Sequence, residues 1–431
     1  VYQNGGYTGD AAIYSNNSAP DGGVFYNNFA LTDSDGTYSN NSAGTQLSPV
    51  SDSDGAVLDN EAVATISGAD IGGTQSWATD EVYGGVFYND DQLALDNDTV
   101  SNTTNRADGE NIVGGVVTND ANLAINGMTV NATTNGSSGA DTYIEGGVSY
   151  NDWTATVNGL DASGTTNTSG DEDIYGGVAS TDFEFNPGCF PATTAYTGVT
   201  VTGTSDNASS GGYTEGGVIY LGYFFYPPYC DTFLSGNITG ATISGTNVTP
   251  GTEGVYGGVI ATESPVDLTQ LSVDSTTINA SGEDVEGGAV YTDAAATVNG
   301  ASVTNTSISD IGGGDGFVEG GAWFNVEDST ESNLQVLNTS VSADKNVEGG
   351  AWTNSGDGTT LTNATFARTT TTLSASGTAE GGTVWDNEPT LLTNVTVDDN
   401  TTSTASGFAA GFYINDQLQF VNDTIVNNTV S

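Results

Sequence analysis

The sequence has no histidine and almost no cations. Its 431 residues include 54 Asp and Glu but three Lys and Arg, giving a formal net charge of −51. Without His, Ser–His and Cys–His nucleophile pairs and His-bearing zinc sites are excluded. So few cations cannot neutralise nucleic-acid phosphates or bind an anionic membrane surface. We therefore expect no nucleic acid among its partners.

Long apolar runs and abundant charge are also missing. No stretch approaches the ~18 apolar residues of a membrane span, so we expect no direct membrane insertion. Charged residues make up 13% of the chain, and Gly alone contributes 60 residues. The 19 Tyr, 15 Phe and 5 Trp nevertheless predict a folded chain, because a disordered chain would contain few aromatic residues.

A Gly-Gly-Val-like signal repeats through the whole sequence. Its spacing is 29 to 41 residues, and thirteen copies leave no room for a second domain. Between the copies, β-branched and polar residues alternate, which indicates short strands, and no window shows a helical apolar stripe. The first residues of the signals are Gly22, Gly55, Gly84, Gly114, Gly146, Gly176, Gly216, Gly257, Gly287, Gly320, Gly349, Gly381 and the degraded Ala410.

An asparagine follows five places after the signal in eight copies. One buried Asn at the same position of each coil can hydrogen-bond to its counterparts above and below, so we interpret these residues as an asparagine ladder. A ~30-residue repeat of short strands without helix fits one coil of a β-solenoid. The predicted ladder residues are Asn27, Asn60, Asn89, Asn119, Asn151, Asn325, Asn354 and Asn415.

The signal and its flanking residues resemble those of a known group of proteins. GGVFYNN at 22–28, GGVFYND at 84–90 and GGAVYTD at 287–293 are similar to repeats of right-handed parallel β-helix surface proteins. This group includes polymorphic outer-membrane and adhesin-like proteins. The resemblance implies one right-handed parallel β-helix over 1–431, of about thirteen coils of ~30 residues. The companion FxxN motif and a carboxy-terminal barrel are not found, so an autotransporter is not implied.

Two repeats are about ten residues longer than the rest. They place Cys189 and Cys230 at nearly equivalent positions of successive coils, in predicted protruding loops at 183–196 and 221–234. We expect a Cys189–Cys230 disulfide and therefore an oxidising, extracellular location; two free thiols are the alternative. Aromatic residues and prolines gather in both loops, either as a partner-binding site or as a satellite core.

Stacked coils would align acidic residues in rows. Like charges in register destabilise adjacent strands, so something must bridge or screen them. Ca²⁺ is one hypothesis, because it prefers oxygen ligands; monovalent counterions or simple solvation are the others. No cofactor is required by the sequence. The candidate calcium-binding residues are Glu286, Glu319, Glu348, Glu380, Asp90, Asp120 and Asp152.

The sequence contains eighteen Asn-X-Ser/Thr sequons. A chain this rich in Asn, Ser and Thr would contain roughly ten by chance, so the excess predicts that some carry covalent glycans. The acceptor residues are Asn16, Asn40, Asn97, Asn102, Asn131, Asn135, Asn167, Asn207, Asn237, Asn247, Asn279, Asn305, Asn338, Asn363, Asn394, Asn400, Asn422 and Asn427.

The sequence favours a building block over an enzyme. Acidic pairs such as Asp90–Asp91 and Asp398–Asp399 could serve a glycosidase, but 54 carboxylates produce such pairs by accident. We assign no catalytic residue. Neither end of the repeat region shows a helical or polar cap, so we expect an extracellular structural protein that assembles head to tail with itself into a fibre, sheath or array. A monomeric surface adhesin and a polysaccharide-binding or polysaccharide-degrading β-helix are the alternatives.

Overall fold

The structure is a computed structural model of the 431-residue chain. It describes all residues except 1, 4–5, 20–21, 140–141, 171–172, 183–192, 209–210, 223–234, 282, 312–315, 375–376, 405 and 408. The chain is all-β, and its parallel strands stack as a β-solenoid of about 12 turns of roughly 30 residues. The predicted fold class is therefore confirmed, with about twelve turns against the thirteen coils expected.

The chain divides into two compact units. Unit 1 comprises Val1–Ser210 and Val218–Ser235, and unit 2 comprises Gly211–Gly217 and Gly236–Ser431. In both units, each turn contributes strands to four parallel sheets, which we name A to D. Sheet A follows the Gly-Gly signal, then come sheets B and C, and sheet D leads into the next signal.

The strands of unit 1 are short, mostly two to five residues. Sheet A contains Tyr2–Gln3, Phe25–Asn27, Leu58–Asn60, Phe87–Asn89, Val117–Asn119, Ser149–Asn151, Ala179–Thr181 and Ile219–Leu221. Sheet B contains Tyr7–Asp10, Leu31–Ser34, Ala64–Ser67, Leu93–Asp96, Leu123–Asn126, Ala155–Asn158 and Thr193–Thr197. Sheet C contains Ile13–Ser15, Thr37–Ser39, Ser42–Ala43, Asp70–Gly72, Gln75–Ala78, Thr99–Ala107, Thr129–Ser137, Asp161–Ser163, Thr166–Ser169, Thr200–Thr202 and Ser205–Ala208. Sheet D contains Ser53–Asp54, Val82–Tyr83, Ile112–Val113, Ile144–Glu145 and Ile174–Tyr175.

Unit 2 repeats the same plan. Its sheet A contains Ile260–Thr262, Val290–Thr292, Trp323–Asn325, Trp352–Asn354, Val384–Asp386 and Phe412–Ile414. Sheet B contains Ser235–Thr239, Val266–Thr269, Ala296–Asn299, Ser329–Ser332, Thr360–Thr362, Thr390–Thr393 and Leu418–Val421. Sheet C contains Thr242–Ser244, Asn247–Thr249, Ser272–Asp274, Thr277–Ala280, Ser302–Thr304, Ser307–Asp310, Gln335–Leu337, Ser340–Ala343, Thr365–Ala367, Thr370–Leu373, Thr396–Asp398, Thr401–Ser403, Thr424–Val426 and Thr429–Val430. Sheet D contains Tyr213–Glu215, Gly254–Tyr256, Val285–Glu286, Val318–Glu319, Val347–Glu348, Thr378–Glu380 and Ser406–Gly407.

Alternation of side chains along the strands builds the core. In the Leu93–Asp96 strand, Leu93 and Leu95 are buried and Ala94 faces outward, and its neighbour Leu123–Asn126 stacks on it with Leu123 and Ile125 buried. Because the strands pair in parallel register, each inward position forms a column of side chains through the unit. The core is therefore a set of columns.

The Gly-Gly signal forms the corner between sheets D and A, and both glycines are sterically required there. Gly114 has φ of 61°, and a Cβ on it would lie 2.1 Å from the Val117 carbonyl oxygen. A Cβ on Gly115 would lie 2.3 Å from the carbonyl oxygen of Gly147 in the next turn. The repeated glycines thus allow the backbones of successive turns to approach closely.

Two further corners flank the first part of sheet C, and each is formed by a left-handed residue. Asn97 (φ 57°) ends a sheet B strand, and Asn102 (φ 56°) lies within sheet C five residues later. Asn adopts this conformation more readily than most residues other than Gly. Such left-handed positions are repeated in nearly every turn, and many of them hold the asparagine of a sequon.

Candidate functional site

The structure brings five of the eight predicted ladder residues into one buried column at the end of sheet A, here named the sheet A amide column. Each of the first four residues donates its Nδ2 to the Oδ1 of the next, at 2.7, 2.7, 2.9 and 3.0 Å in order from Asn27, and Asn151 accepts the last of these bonds. The second amide hydrogen of Asn60 and of Asn89 goes to the carbonyl two residues ahead. The column consists of Asn27, Asn60, Asn89, Asn119 and Asn151.

In unit 2 the same position is more varied. Asn325 Nδ2 donates to Glu331 Oε1 at 2.6 Å, and Asn354 Nδ2 donates to Asp386 Oδ1 at 3.0 Å. Asn325 and Asn354 are register partners, but Asn325 donates to Glu331 and not to Asn354. Asp386, the register partner of Asn354, takes the ladder position in the following turn. The predicted ladder of asparagines thus includes carboxyl acceptors in unit 2.

Asn415 was wrongly placed in the ladder. The strand register pairs Asp386 with Ile414, so Ile414 occupies the ladder position and Asn415 lies one residue beyond it. Asn415 is exposed and donates to Asn387 Oδ1 at 2.8 Å. The cause is the degraded last signal: Gly382 N donates to Ala409 O, so the signal starts at Ala409 instead of Ala410.

A second buried column, absent from the sequence-based prediction, lies inside unit 1; we name it the sheet C amide column. Asn105, Asn135 and Asn167 each donate to the next member, at 2.8, 2.8 and 2.6 Å, and the column ends at Asp206 Oδ1. Each Asn also donates its other hydrogen to a glycine carbonyl of the signal, at 2.5 to 2.7 Å. The column therefore ties sheet C to the Gly-Gly corner.

Asp206 terminates this column without a cation. It is fully buried, and burial raises its pKa to about 8, although the hydrogen bond from Asn167 acts in the opposite direction. A buried carboxyl group without a positive partner favours its neutral form. At neutral pH this aspartate is therefore largely protonated.

Unit 2 contains a comparable buried carboxyl group, Glu331, among aromatic residues. It accepts hydrogen bonds from Asn325 Nδ2 (2.6 Å), Ser329 Oγ (3.3 Å) and Trp352 Nε1 (3.1 Å). Burial raises its pKa to about 7, against the opposing effect of these donors. In its column, the register partners are Val298 and Leu361, so this carboxyl group interrupts an apolar stack.

The four glutamates predicted to form a row do lie at paired positions of adjacent strands. Glu286, Glu319, Glu348 and Glu380 are paired one after another on adjacent strands of sheet D. Burial raises the pKa of Glu286 to about 7 and of Glu319 to about 8, and the neighbouring carboxylates act in the same direction. Buried carboxyl groups beside other carboxylates favour the protonated form, which lowers the repulsion along this row.

Neutral hydrogen-bond donors contact carboxylates beside sheet A, including one of the predicted calcium ligands. Within the described ranges, no group of three or more His, Cys, Asp or Glu could hold a metal ion. Tyr88 instead donates its hydroxyl to Asp120 at 3.1 Å, and Tyr26 donates to Glu61 at 2.9 Å. Asp90 is exposed and Asp152 half-buried. The described residues thus give the calcium hypothesis no support.

Fifteen of the eighteen predicted sequon asparagines are exposed, and three are buried. Asn135 and Asn167 belong to the sheet C amide column, and Asn400 donates to Asn428 Oδ1 at 2.7 Å. Burial argues against a glycan at these three positions, because an attached glycan has no space there. Two corners per turn need a left-handed residue, and a Thr or Ser usually follows two places later. The fold itself thus accounts for many sequons.

Trp323 and Trp352 are fully buried register partners on sheet A and belong to the core of unit 2. Cys189, Cys230 and most of the two long loops lie outside the described residues, so their disulfide stays a prediction. No helix in the part of the chain that the structure describes is long and apolar enough to cross a membrane.

Comparison with family models, with curated proteins and with solved structures finds no match to this chain. The β-solenoid implied by the resemblance to β-helix surface proteins is present. Membership of the adhesin-like group stays a hypothesis.

Proposed function

We propose that this protein is a non-catalytic, extracellular structural subunit that stacks turn on turn with further copies of itself in a surface fibre, sheath or array. The observation that supports the proposal is the apolar surface of the turn formed by residues 412–430. Side chains at its inward positions are exposed, whereas their register partners one turn earlier are buried.

The contrast between the two turns is large. Phe420 is 44% exposed and its partner Leu392 is 1% exposed; Ile425 is 49% exposed and its partner Val397 is 0% exposed. Leaving such side chains in water costs about 1.5–3 kcal/mol for each one that a partner could bury. This surface therefore favours contact with another apolar cross-section.

The backbone offers matching donors. At the start of sheet B strands, the amide donates to the next turn: Tyr7 N to Ala30 O, Leu31 N to Val63 O and Thr390 N to Gln417 O. Leu418 is the register partner of Thr390, so its amide points toward a further turn. A strand edge of this kind can pair with a further turn, which we propose another copy of the chain supplies.

The turn at residues 7–17 offers a complementary surface. Tyr7 and Tyr14 occupy inward positions there and are half-buried, and the Tyr14 ring stacks on Tyr38 at 4.8 Å. Aromatic rings with one face still accessible suit contact with Phe412 and Phe420 of a second copy. A contact between two different surfaces of identical subunits does not close, so it generates a linear array.

Substitution of Phe420 by Asp tests this contact. We expect the wild-type chain to associate in a concentration-dependent manner, and Phe420→Asp to lower the association constant at least ~100-fold, because the variant places a charge in the apolar surface. Light scattering and sedimentation velocity measure the association, and electron microscopy shows whether the product is linear.

Leu391→Asp is the matched control. Leu391 is 37% exposed, but it points outward from sheet B one turn earlier. Its substitution should leave association unchanged. A wild-type chain that stays monomeric at all concentrations, or an equal loss in both variants, would contradict turn-on-turn assembly.

A further inference from the structure

The exposed sequons of each unit are concentrated around one sheet. Of the eighteen acceptor asparagines, all but Asn237 belong to sheet C or to its two left-handed corners, and Asn237 lies in a sheet B strand. The described strands of sheets A and D contain none. Any glycans would therefore occupy one side of a turn, and leave the sides formed by sheets A and D bare.

Four corner asparagines of unit 1 have the best geometry for modification. Asn16, Asn40, Asn97 and Asn102 are exposed, with φ of 56°, 52°, 57° and 56°. Their backbone amides bond in the usual way, as Asn40 N does to Gly72 O, but within the described part of the chain their side-chain Nδ2 atoms donate no hydrogen bond. A sugar on Nδ2 would therefore displace no intramolecular contact.

Apart from Asn422, the left-handed corner asparagines of the unit 2 sequons already donate side-chain hydrogen bonds. Asn338 Nδ2 donates to Asn305 Oδ1 at 3.0 Å, and Asn394 Nδ2 donates to Asn363 Oδ1 at 3.1 Å. One amide hydrogen remains after glycosylation, so these residues stay possible acceptors, but with less rotational freedom. The four unit 1 residues are thus the preferred sites.

We propose that Asn16, Asn40, Asn97 and Asn102 carry N-linked glycans, and that the buried Asn135, Asn167 and Asn400 do not. The donor class is a lipid-diphosphate-linked oligosaccharide. The amide nitrogen forms a bond to the anomeric carbon, the bond from that carbon to the diphosphate oxygen breaks, the oxygen keeps the electron pair, and the transferase takes the amide proton. This inference rests on the export that the proposed function requires.

The folded chain can hold these glycans without loss of its core. Asn102 lies at the corner of the Thr99–Ala107 strand, while Asn105, three residues on, points inward into the sheet C amide column. One strand thus contains an outward acceptor and an inward amide. Modification of the first leaves the second intact.

Peptide mapping of the protein from a host that exports and N-glycosylates tests the inference. Cleavage at acidic residues is suitable, because three cations leave trypsin too few sites. Release of glycans by an amidase in heavy-oxygen water converts every occupied Asn to labelled Asp. We expect label at the four corner residues and none at Asn135, Asn167 or Asn400. Label at any buried residue, or none at all four corners, would overturn the inference.

Two variants serve as controls for site assignment and for stability. Asn102→Gly should remove the mass of one glycan and leave the melting temperature of the deglycosylated protein unchanged within ~2 °C, because the side chain is exposed and Gly also adopts the left-handed conformation of this corner. Asn237→Gln, on sheet B, should leave the glycans at the four corners in place. Association is measured separately, by light scattering. Protein that lacks glycans but still assembles would refute this inference alone. Glycosylated protein that stays monomeric would refute only the proposed function.

Discussion

Replacing Asn135 with alanine should lower the free energy of unfolding by about 3–6 kcal/mol. The substitution removes the donors to Gly147 O (2.7 Å) and Asn167 Oδ1 (2.8 Å), and the acceptor of Asn105 Nδ2 (2.8 Å). Each buried group left without its partner costs about 1–3 kcal/mol, and relaxation of the column recovers part of this. Chemical denaturation followed by tryptophan fluorescence measures the change.

Asn131→Ala is the matched control for this experiment. Asn131 lies in the same Thr129–Ser137 strand, four residues earlier, and is exposed, with one hydrogen bond from Ser163 Oγ at 2.6 Å. Its substitution should change the free energy of unfolding by less than about 0.5 kcal/mol. If both variants lose the same stability, the column does not contribute beyond an ordinary surface position.

Raising the pH from 5 to 8 should destabilise the protein by several kcal/mol. The folded pKa values of Glu331 (about 7) and Asp206 (about 8) lie above the ordinary 4.5 and 3.8. The folded state therefore binds more protons than the unfolded state between these limits. The stabilisation is complete below pH ~4, and is lost as the pH rises through 7 and 8. For Glu331 alone, the shift corresponds to on the order of 3 kcal/mol.

Thermal melts over this pH range measure the effect. Glu331→Gln should flatten the decline in melting temperature between pH 5 and 8, because the titrating group is gone, even though the variant is less stable at pH 5. Glu327→Gln, an exposed glutamate four residues earlier, should change the slope much less. A wild-type protein whose stability rises between pH 5 and 8 would show that these carboxyl groups are ionised in the fold.

The solenoid and the sheet A amide column could be predicted because their residues keep a constant distance from the Gly-Gly signal. The sheet C amide column was missed because Asn105, Asn135 and Asn167 lie 9, 11 and 9 residues before the next signal. The loops between sheets C and D vary in length, so sheet C residues do not keep a constant distance from the following Gly-Gly signal. The left-handed corner residues give a constant distance instead. Each column residue lies three places after its corner: the corners are Asn102, Ala132, Gly164 and Gly203, and the column residues are Asn105, Asn135, Asn167 and Asp206.

Burial of carboxyl groups was harder to predict than the fold. Among 54 acidic residues, nothing in the local pattern separates Glu331 from its exposed neighbours, except that it interrupts the alternation at an inward position. The acidic rows were predicted from register alone, which cannot distinguish a bound cation from a shared proton. That distinction depends on burial and on donors from other turns, such as Tyr88 to Asp120.

The sheet C amide column also bears on how such a chain can evolve. In unit 1 this column contains the amides of Asn105, Asn135 and Asn167. The same inward column of unit 2 contains no amide in its described turns 248–402: it is aliphatic from Val248 to Val341 and continues with Thr371 and Thr402. A turn duplicated or deleted within one unit would meet neighbours of its own kind. A turn moved from one unit into the other would set amides against aliphatic side chains. The column therefore limits recombination to exchanges inside each unit, and also penalises folding in which turns stack out of order.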